Sequence, residues 1–352
     1  MAFSNGDPLD AEAVKFSQDR YAAAPTSPEG PLWVRNVAGA WEERTQITLE
    51  ANPNYWNGAP HLDSVRFVYF TDPQIAVDAL RSMDVDAALA RDSNHLGPLI
   101  EDGFSGYRSL VTGGSLGMIN AQEGRPGADP RVRRAIQLAT DADALQKTVV
   151  GEYGHGETTL FPEHSRWATE AQGLEYDPEE ARRLLEEAKA DGYDGKLQIL
   201  GGPSASLRTR NLAFKAQMEA VGFEVESDTA ASITDQITRI AGSQDYDITS
   251  WSYNFREADP LAKMFAVLHS DGIQRYGAYS SPELDSLIEG FEAATTEEEQ
   301  HRIMEALQEQ INEDVPFLLW GWSEEISFWN DNVHGIVGAA NTMVMFDRAW
   351  ID

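Results

Sequence analysis

The sequence predicts an α/β fold with mixed sheets flanked by helices. A strong strand at residues 62–70 leads into a helix within 72–89 and then into a further short strand, and a β-α-β order of this kind favours an α/β domain. The alternation returns between residues 196 and 251. At 352 residues the chain is long enough for two or more domains.

The first elements are set by turn and capping residues. Residues 3–20 predict a turn and a helix, and the Pro-rich stretch 22–31 predicts a linker. Residues 45–51 alternate as a strand, and the sequence NPNYWNGAP that follows is a turn with two aromatic residues. The helix within 72–89 has Asp72 as its cap and Pro73 at its first position.

Residues 107–120 predict strands separated by Thr112, Gly113 and Gly114. A long helix over 131–150 is then opened by Asp129-Pro130, and its buried stripe consists of Val132, Ile136, Leu138 and Leu145. Another helix starts at Asp177-Pro178 and ends near Gly192.

The remaining elements repeat the α/β theme. The predicted strands and helices are strand 196–202, helix 207–222, strand 223–229, helix 233–242, strand 246–251, a helix opened by Asp259-Pro260, a helix from Ser281-Pro282, a helix with the capping box Thr296 and Glu299, and a buried strand at 315–322. Residues 335–352 are apolar and strand-like.

The charge excludes one class of partner. The formal net charge is −31, and only six of the 27 basic residues are lysines. Nucleic-acid phosphates need a basic face, so nucleic-acid binding is set aside. We interpret the acidic surface as suited to high salt, where screening weakens self-repulsion; the alternative is an ordinary acidic secreted protein.

No catalytic or metal-binding pattern stands out, and we expect neither enzyme activity nor a cofactor nor a metal. The chain has no cysteine, which excludes thiolate catalysis and Cys-ligated metal centres. The stretch Gly113–Gly117 matches the GxSxG pattern around Ser115, but that motif requires a strand, a sharp turn and a helix. Paired acids such as Glu324-Glu325 and Asp245/Asp247 suggest a glycosidase only weakly, because 58 acids produce such pairs by chance.

Several segments, in order, resemble the extracellular solute-binding proteins of the peptide and nickel type, called family 5, which serve ABC transporters. The strand, N-P-x-Y-W turn and helix of 47–89 carry the most specific resemblance. The other similar segments are 3–20, 129–154, 176–188, 246–260 and 279–288.

The resemblance implies a two-lobed, periplasmic-binding-protein-like fold of type II and of the peptide-binding subclass. It implies a peptide or small-molecule ligand in a cleft between the lobes, delivery to ABC permease subunits, and an extracellular or periplasmic, cell-surface location. Membrane contact would come only through the permease or a lost lipid anchor. The alternatives are an acidic secreted hydrolase and a truncated, non-binding remnant of the family.

The similarity also implies a domain division. Residues 1–44 are expected to be a remnant of the amino-terminal region, the extra domain and a linker, because family members place about a hundred residues where this chain has few. Residues 45–128 with 336–352 are expected to form lobe I, and residues 129–335 lobe II.

In the family, the loop that begins at Trp251 lines the cleft. The resemblance therefore implies ligand contacts from Trp251, Tyr253, Asn254, Phe255 and Asp259. Peptide binders often place an acid here to meet a ligand amine, and the position falls on Asn254 or Asp259. If it falls on Asn254, the charge is lost and recognition of a free amine is in doubt.

Two further ligand-binding residues are implied by the resemblance. Asn120 falls at a strand end beside the hinge. Arg208 lies in the loop-helix region where some members place a carboxylate-binding arginine, although the surrounding residues differ and an exposed helical arginine is the alternative role.

Overall fold

The computed structural model describes residues 38–42, 46–53, 55, 57–70, 73–90, 95–277, 279–338 and 343–352. The helix and linker predicted within residues 1–37 lie outside this part of the chain, as does the cap Asp72. No helix in the described ranges is long and apolar enough to cross a bilayer.

The first described elements form a small sheet with two short helices after it. The sheet is antiparallel with the order β1-β2-β3, and the strand predicted at 45–51 is confirmed as β2. The elements are β1 (Ala38–Glu42), β2 (Gln46–Glu50), β3 (Ser64–Val68), α1 (Pro73–Arg81), β4 (Ala87–Ala90) and α2 (Leu96–Glu101).

A six-stranded mixed sheet carries most of the fold, which confirms the predicted α/β class. Its order is β4-β9-β5-β8-β6-β7. The neighbours β6 and β7, and β6 and β8, are parallel, whereas β5 runs antiparallel to both β8 and β9. The strands added here are β5 (Ser105–Ile119), β6 (Lys196–Gly201), β7 (Glu224–Thr229), β8 (Ile248–Trp251) and β9 (Phe317–Trp329).

The helices pack on both faces of this sheet. They are α3 (Pro130–Leu138), α4 (Ala142–Val150), α5 (Pro178–Ala190), α6 (Ala205–Val221), α7 (Ile233–Thr238), α8 (Leu261–Leu268), α9 (Pro282–Ala293) and α10 (Glu297–Asp314). Four further short strands follow β9, namely β10 (Val333–His334), β11 (Val337–Gly338), β12 (Val344–Met345) and β13 (Trp350–Ile351).

Side-chain caps start four of these helices, α3, α5, α9 and α10, where the sequence predicts them. Asp177 accepts hydrogen bonds from the backbone N–H groups of Glu179 and Glu180 at the start of α5. Thr296 accepts from Glu299 N–H at the start of α10. Such bonds satisfy N–H groups that the helix itself leaves without acceptors.

Two local predictions are wrong. The single helix predicted over 131–150 is two helices, because Asp141 caps a new one by accepting from Ala144 N–H over 2.9 Å. Asp259 does not cap α8: Pro260 occupies the N-cap position and no side-chain cap bond forms there.

The break predicted at Thr112–Gly114 is also wrong, because β5 continues through it. Its pairing with β9 instead shifts register between Val111 and Leu116. Gly113 has a positive φ of 66°, a conformation that glycine adopts without a steric penalty.

One core lies on each face of the large sheet. One face contacts α3, α5 and α6 and contains Ile119, Ile136, Phe214 and Trp320. The other contacts α8, α9 and α10 and contains Leu116, Tyr253, Phe255 and Phe317. The predicted stripe of Val132, Ile136, Leu138 and Leu145 is buried as expected.

The expected lobes share one sheet. Strand β5 pairs at Leu116–Ile119 with β8, within the segment expected for lobe II, whereas its earlier half at Ser105–Val111 pairs with the end of β9 beside β4. Residues 105–119 thus take part in both halves of the sheet, and a boundary at 128/129 does not mark where the strands cross. The division into 45–128 with 336–352 and 129–335 remains a prediction.

Candidate functional site

Three parallel strands end on one edge of the large sheet. The strands β6, β7 and β8 end at Gly201, Thr229 and Trp251. In open α/β sheets the carboxyl ends of parallel strands are where ligands bind. The antiparallel strands β5 and β9 pass this edge near Ser115 and Gly321, which pair with each other. We call this region the strand-end edge.

Trp251 is placed at the strand-end edge by its register with Leu116. Its indole is partly buried and packs against the core that contains Phe255. Asn254, three residues further, is also partly buried. Both side chains keep exposed surface, so both fit the predicted role of ligand contact.

Tyr253 and Phe255 are core residues, contrary to the prediction that they face a ligand. Their side chains are 6% and 1% exposed, and both rings lie about 6 Å from the ring of Phe317, at 6.0 and 6.3 Å. Burial raises the pKa of the Tyr253 phenol well above its usual range. Because these buried rings remove apolar surface from water by packing against one another, they stabilise the fold.

Asn120 is fully buried and acts as a backbone clamp. Its side-chain Nδ2 donates to the carbonyl oxygens of Gln244 (2.9 Å) and Tyr246 (3.1 Å), and its Oδ1 accepts from Gln122 N–H over 3.2 Å. The predicted ligand-binding role does not fit, because these three bonds already use the amide.

Asp259 lies on the exposed surface of the loop after β8, where its backbone N–H donates to the carbonyl of Arg256 over 3.2 Å. Its side chain is available to solvent at this position. Of the two candidate positions, Asp259 carries a carboxyl group on the exposed surface, whereas position 254 carries an amide.

Arg208 is exposed on the first turns of α6 and donates to the carbonyl oxygen of Pro203. Arg210, two residues on, lines a cavity at the strand-end edge together with Gln146, His155, Trp322 and Glu324. Positions two apart on a helix point in different directions. Of the two arginines, it is therefore Arg210 that lines this cavity, and the ligand-binding role of Arg208 remains a prediction.

Glu324 is a buried acid on the same cavity wall. Its carboxylate, 7% exposed, accepts two hydrogen bonds from Arg108, from Nη2 at 2.6 Å and from Nε at 3.1 Å. This bidentate contact neutralises the charge, so Glu324 is not set up as a catalytic acid.

Trp322 and two histidines were missed by sequence reasoning. The imidazoles of His155 and His164 lie 5.1 and 4.6 Å from the Trp322 ring, measured between centroids. Both histidines are exposed and Trp322 is partly buried. Nothing in the separate sequence segments signals that the chain brings them to one place.

Ser115 has neither the turn nor the base of a hydrolase nucleophile. It lies inside β5, is 1% exposed, and its Oγ has no hydrogen-bond partner among the residues that the structure describes. The second acid pair is likewise bound, since Arg125 contacts Asp245 at 3.2 Å and Asp247 at 3.3 Å. Across the described ranges, no group of three or more His, Cys, Asp or Glu side chains could hold a metal ion.

Solved structures share this fold. The chain superposes on the oligopeptide-binding protein AppA from Bacillus subtilis, solved with a nonapeptide, with a TM-score of 0.75 and 17% identity over 90% of this chain and 66% of that one. It superposes on NikA from Staphylococcus aureus, solved with Ni(L-His)2, with a TM-score of 0.75 and 19% identity over 100% of this chain and 86% of that one. The class is thus the two-lobed binding-protein fold of the peptide and nickel type.

Sequence comparison gives the family. Residues 33–275 match the bacterial extracellular solute-binding proteins, family 5, and the chain belongs to this family. It is 25% identical to the probable di/tripeptide-binding protein 5 of Pseudomonas aeruginosa over 77% of this chain and 52% of that protein. It is 22% identical to AppA of Bacillus subtilis over 84% and 57%. The chain thus spans little more than half the length of these relatives.

Proposed function

We propose that this chain is the solute-binding component of an ABC importer, holding a peptide or similar solute at the strand-end edge and delivering it to a membrane permease. The observation that carries the proposal is the cavity lined by Trp322 and Arg210, together with the partly buried Trp251 at the carboxyl end of β8. Aromatic faces and a guanidinium suit apolar side chains and a carboxylate. The family's extracellular character supports a location outside the cell or in the periplasm, at the cell surface.

Arg210 is the residue we assign to the carboxylate of the solute. Its Nη2 lies 3.5 Å from Gln146 Oε1, which orients the guanidinium on the cavity wall. Asp259 is the exposed acid available to a ligand amine. The lobes would meet around the solute by bending of β5 and β9, which are the strands that cross between the halves of the sheet.

Isothermal titration with defined peptides, sugars and nickel-histidine complexes, in folded protein at high salt, tests this function. Peptides should bind with measurable heat. Arg210→Ala should weaken binding of a peptide acid by about 2 to 5 kcal/mol if the charge pair is desolvated, whereas Arg208→Ala, the matched control, should leave it unchanged. Absence of heat with every solute would support the alternative of a non-binding remnant.

A nickel complex is a second candidate solute. The observation that favours it is the proximity of His155 and His164 to the Trp322 ring, since imidazole is a common ligand for nickel and related metals. If titration gave heat with nickel-histidine but not with peptides, and His155→Ala removed that heat, this candidate would replace the first.

A further inference from the structure

Gly117 lies on the α6 face of the large sheet beside Ser115, Ser250 and Trp320, which we call the Gly117 cluster. Ser250 is directly opposite Gly117 in the pairing of β5 and β8. Ser115 precedes it by two residues and therefore points to the same face. The indole of Trp320 lies against Gly117 from that face, since a Cβ built there would be 2.5 Å from Trp320 Cζ2.

The three side chains around Gly117 have buried polar atoms without a protein partner. Ser115, Ser250 and Trp320 are 1%, 3% and 1% exposed. Their Oγ, Oγ and Nε1 atoms form no hydrogen bond with any residue that the structure describes. Buried hydroxyl and N–H groups in folded proteins are nearly always bonded to protein, water or ligand, so each of these three groups requires a partner.

The residues around the Gly117 cluster favour a hydrogen-bond acceptor as its partner. Gln146 Nε2 donates to the Trp320 carbonyl over 3.2 Å and its Oε1 faces Arg210. The indole N–H can only donate, and each serine hydroxyl can donate. The nearby carboxylate of Glu324 is held by Arg108, which limits its repulsion of another oxygen.

A small cavity lies near the Gly117 cluster on the Gln146 side, although none of the three cluster side chains lines it. It measures about 20 Å³ and is lined by Gln146, Arg210 and Trp322. A site for one water molecule requires roughly 10 to 15 Å³. This cavity therefore has room for a single oxygen-sized group beside Gln146, which bonds to the Trp320 carbonyl.

We propose that Ser115, Ser250 and Trp320 form a donor site for one buried oxygen acceptor beneath the strand-end edge. The oxygen belongs either to an ordered water or to a carboxylate. The carboxylate source rests on the proposed function, since the solute would supply it, whereas the water source does not. The Ser115 hydroxyl thus serves as a binding group in a site that the GxSxG pattern does not describe.

Thermal unfolding of Ser115→Ala, Ser250→Ala and the double variant tests the site. If both hydroxyls bind one oxygen, each single variant should lower Tm by about 2 to 4 °C, and the double variant should lose less than the sum because the partner is shared. Ser327→Ala, a buried serine of β9 at the far end of the same sheet, gives the baseline for removing a serine hydroxyl.

Two outcomes overturn the proposal. If both single variants raise Tm or leave it unchanged, the hydroxyls have no partner, because removing an unbonded buried hydroxyl does not destabilise. If the losses are additive, the two serines have separate partners. Neither result depends on solute binding, so this test can fail while the proposed function stands.

Formate distinguishes the two sources of the oxygen. Wild type and double variant are compared in formate and in chloride at equal ionic strength. A formate-dependent rise in Tm for the wild type alone supports a carboxylate. Non-additive losses without any formate effect support an ordered water.

Discussion

Tyr253 donates its backbone N–H to the carbonyl oxygen of Gly113 over 2.8 Å. A second bond, from Phe255 N–H to the Thr112 carbonyl over 3.1 Å, follows directly. These bonds join the loop after β8 to the segment where β5 changes register. The loop predicted to form a ligand wall is therefore anchored to a crossing strand, with Trp251 and Asn254 left at the surface.

Phe255→Ala should destabilise the protein by about 3 to 5 kcal/mol, as truncation of a buried phenylalanine does. Its ring fills the space between Phe161 and Phe317, at 6.3 Å from each. Urea denaturation measures the change. Trp251→Ala is the comparison: it should cost less stability and weaken solute binding by about 1 to 3 kcal/mol. Equal stability of Phe255→Ala and wild type would contradict the core assignment.

Asn120→Ala should lower the free energy of unfolding by about 1 to 3 kcal/mol, because the carbonyls of Gln244 and Tyr246 lose their donor. Asn120→Asp should cost more, since it keeps the acceptor but sets a charge beside two carbonyl oxygens. Asn254→Ala serves as the control and should change stability little. If Asn120→Ala altered solute affinity without altering the denaturation midpoint, the clamp role would be wrong.

Helix starts could be predicted from the sequence because their causes are local. Asp177, Ser281 and Thr296 each bond to backbone N–H groups two or three residues away, and short polar side chains in that position favour a cap in any fold. The same reasoning missed Asp141, whose cap divides one predicted helix into α3 and α4. The apolar pattern continues on both sides of Asp141, so the sequence contained no sign of the break between the two helices.

The candidate site could be predicted only in part, because it depends on contacts far apart in the chain. In the sequence, Trp251 and Phe255 are both aromatic residues of the same segment. Only the packing of Phe161 and Phe317 against Phe255 shows that the Phe255 ring is buried, whereas the Trp251 ring is partly exposed. Arg210 is positioned by its contact with Gln146, which lies on another helix and far away in the sequence.

The buried carboxyl group of Asp247 should make the free energy of unfolding decrease as the pH rises. Burial raises the pKa of its carboxyl above the ordinary 3.8, and the contact with Arg125 opposes this only partly. Between pH 3.8 and the raised pKa of the folded state, the folded state binds more protons than the unfolded state. The stability that this carboxyl contributes is therefore fully present below the pKa of the unfolded state. It is lost as the pH rises through the pKa of the folded state. Relative to Asp247→Asn, the wild type should lose stability from about pH 4 upward.

Asp129 should show the opposite sign in the same experiment. Its hydrogen bond from Arg131 holds the pKa of this carboxyl below its ordinary 3.8, so the stability it contributes is present above that value and lost as pH falls. Urea denaturation of Asp129→Asn and Asp247→Asn across a pH series measures both slopes. Parallel curves for wild type and Asp247→Asn would contradict the assigned direction.

Gly113→Ala should destabilise the protein more than Gly103→Ala, although both glycines have positive φ, 66° and 82°. A left-handed conformation costs a non-glycine residue on the order of 1 to 3 kcal/mol at either position. A Cβ at Gly113 would also lie 2.7 Å from Phe255 Cδ2, whereas one at Gly103 meets no atom within 4 Å. Because Phe255 is packed on all sides, the overlap should add roughly 1 to 3 kcal/mol. Equal unfolding free energies for the two variants would mean that the loop yields to the new methyl group and that the Tyr253–Gly113 bond does not hold it in place.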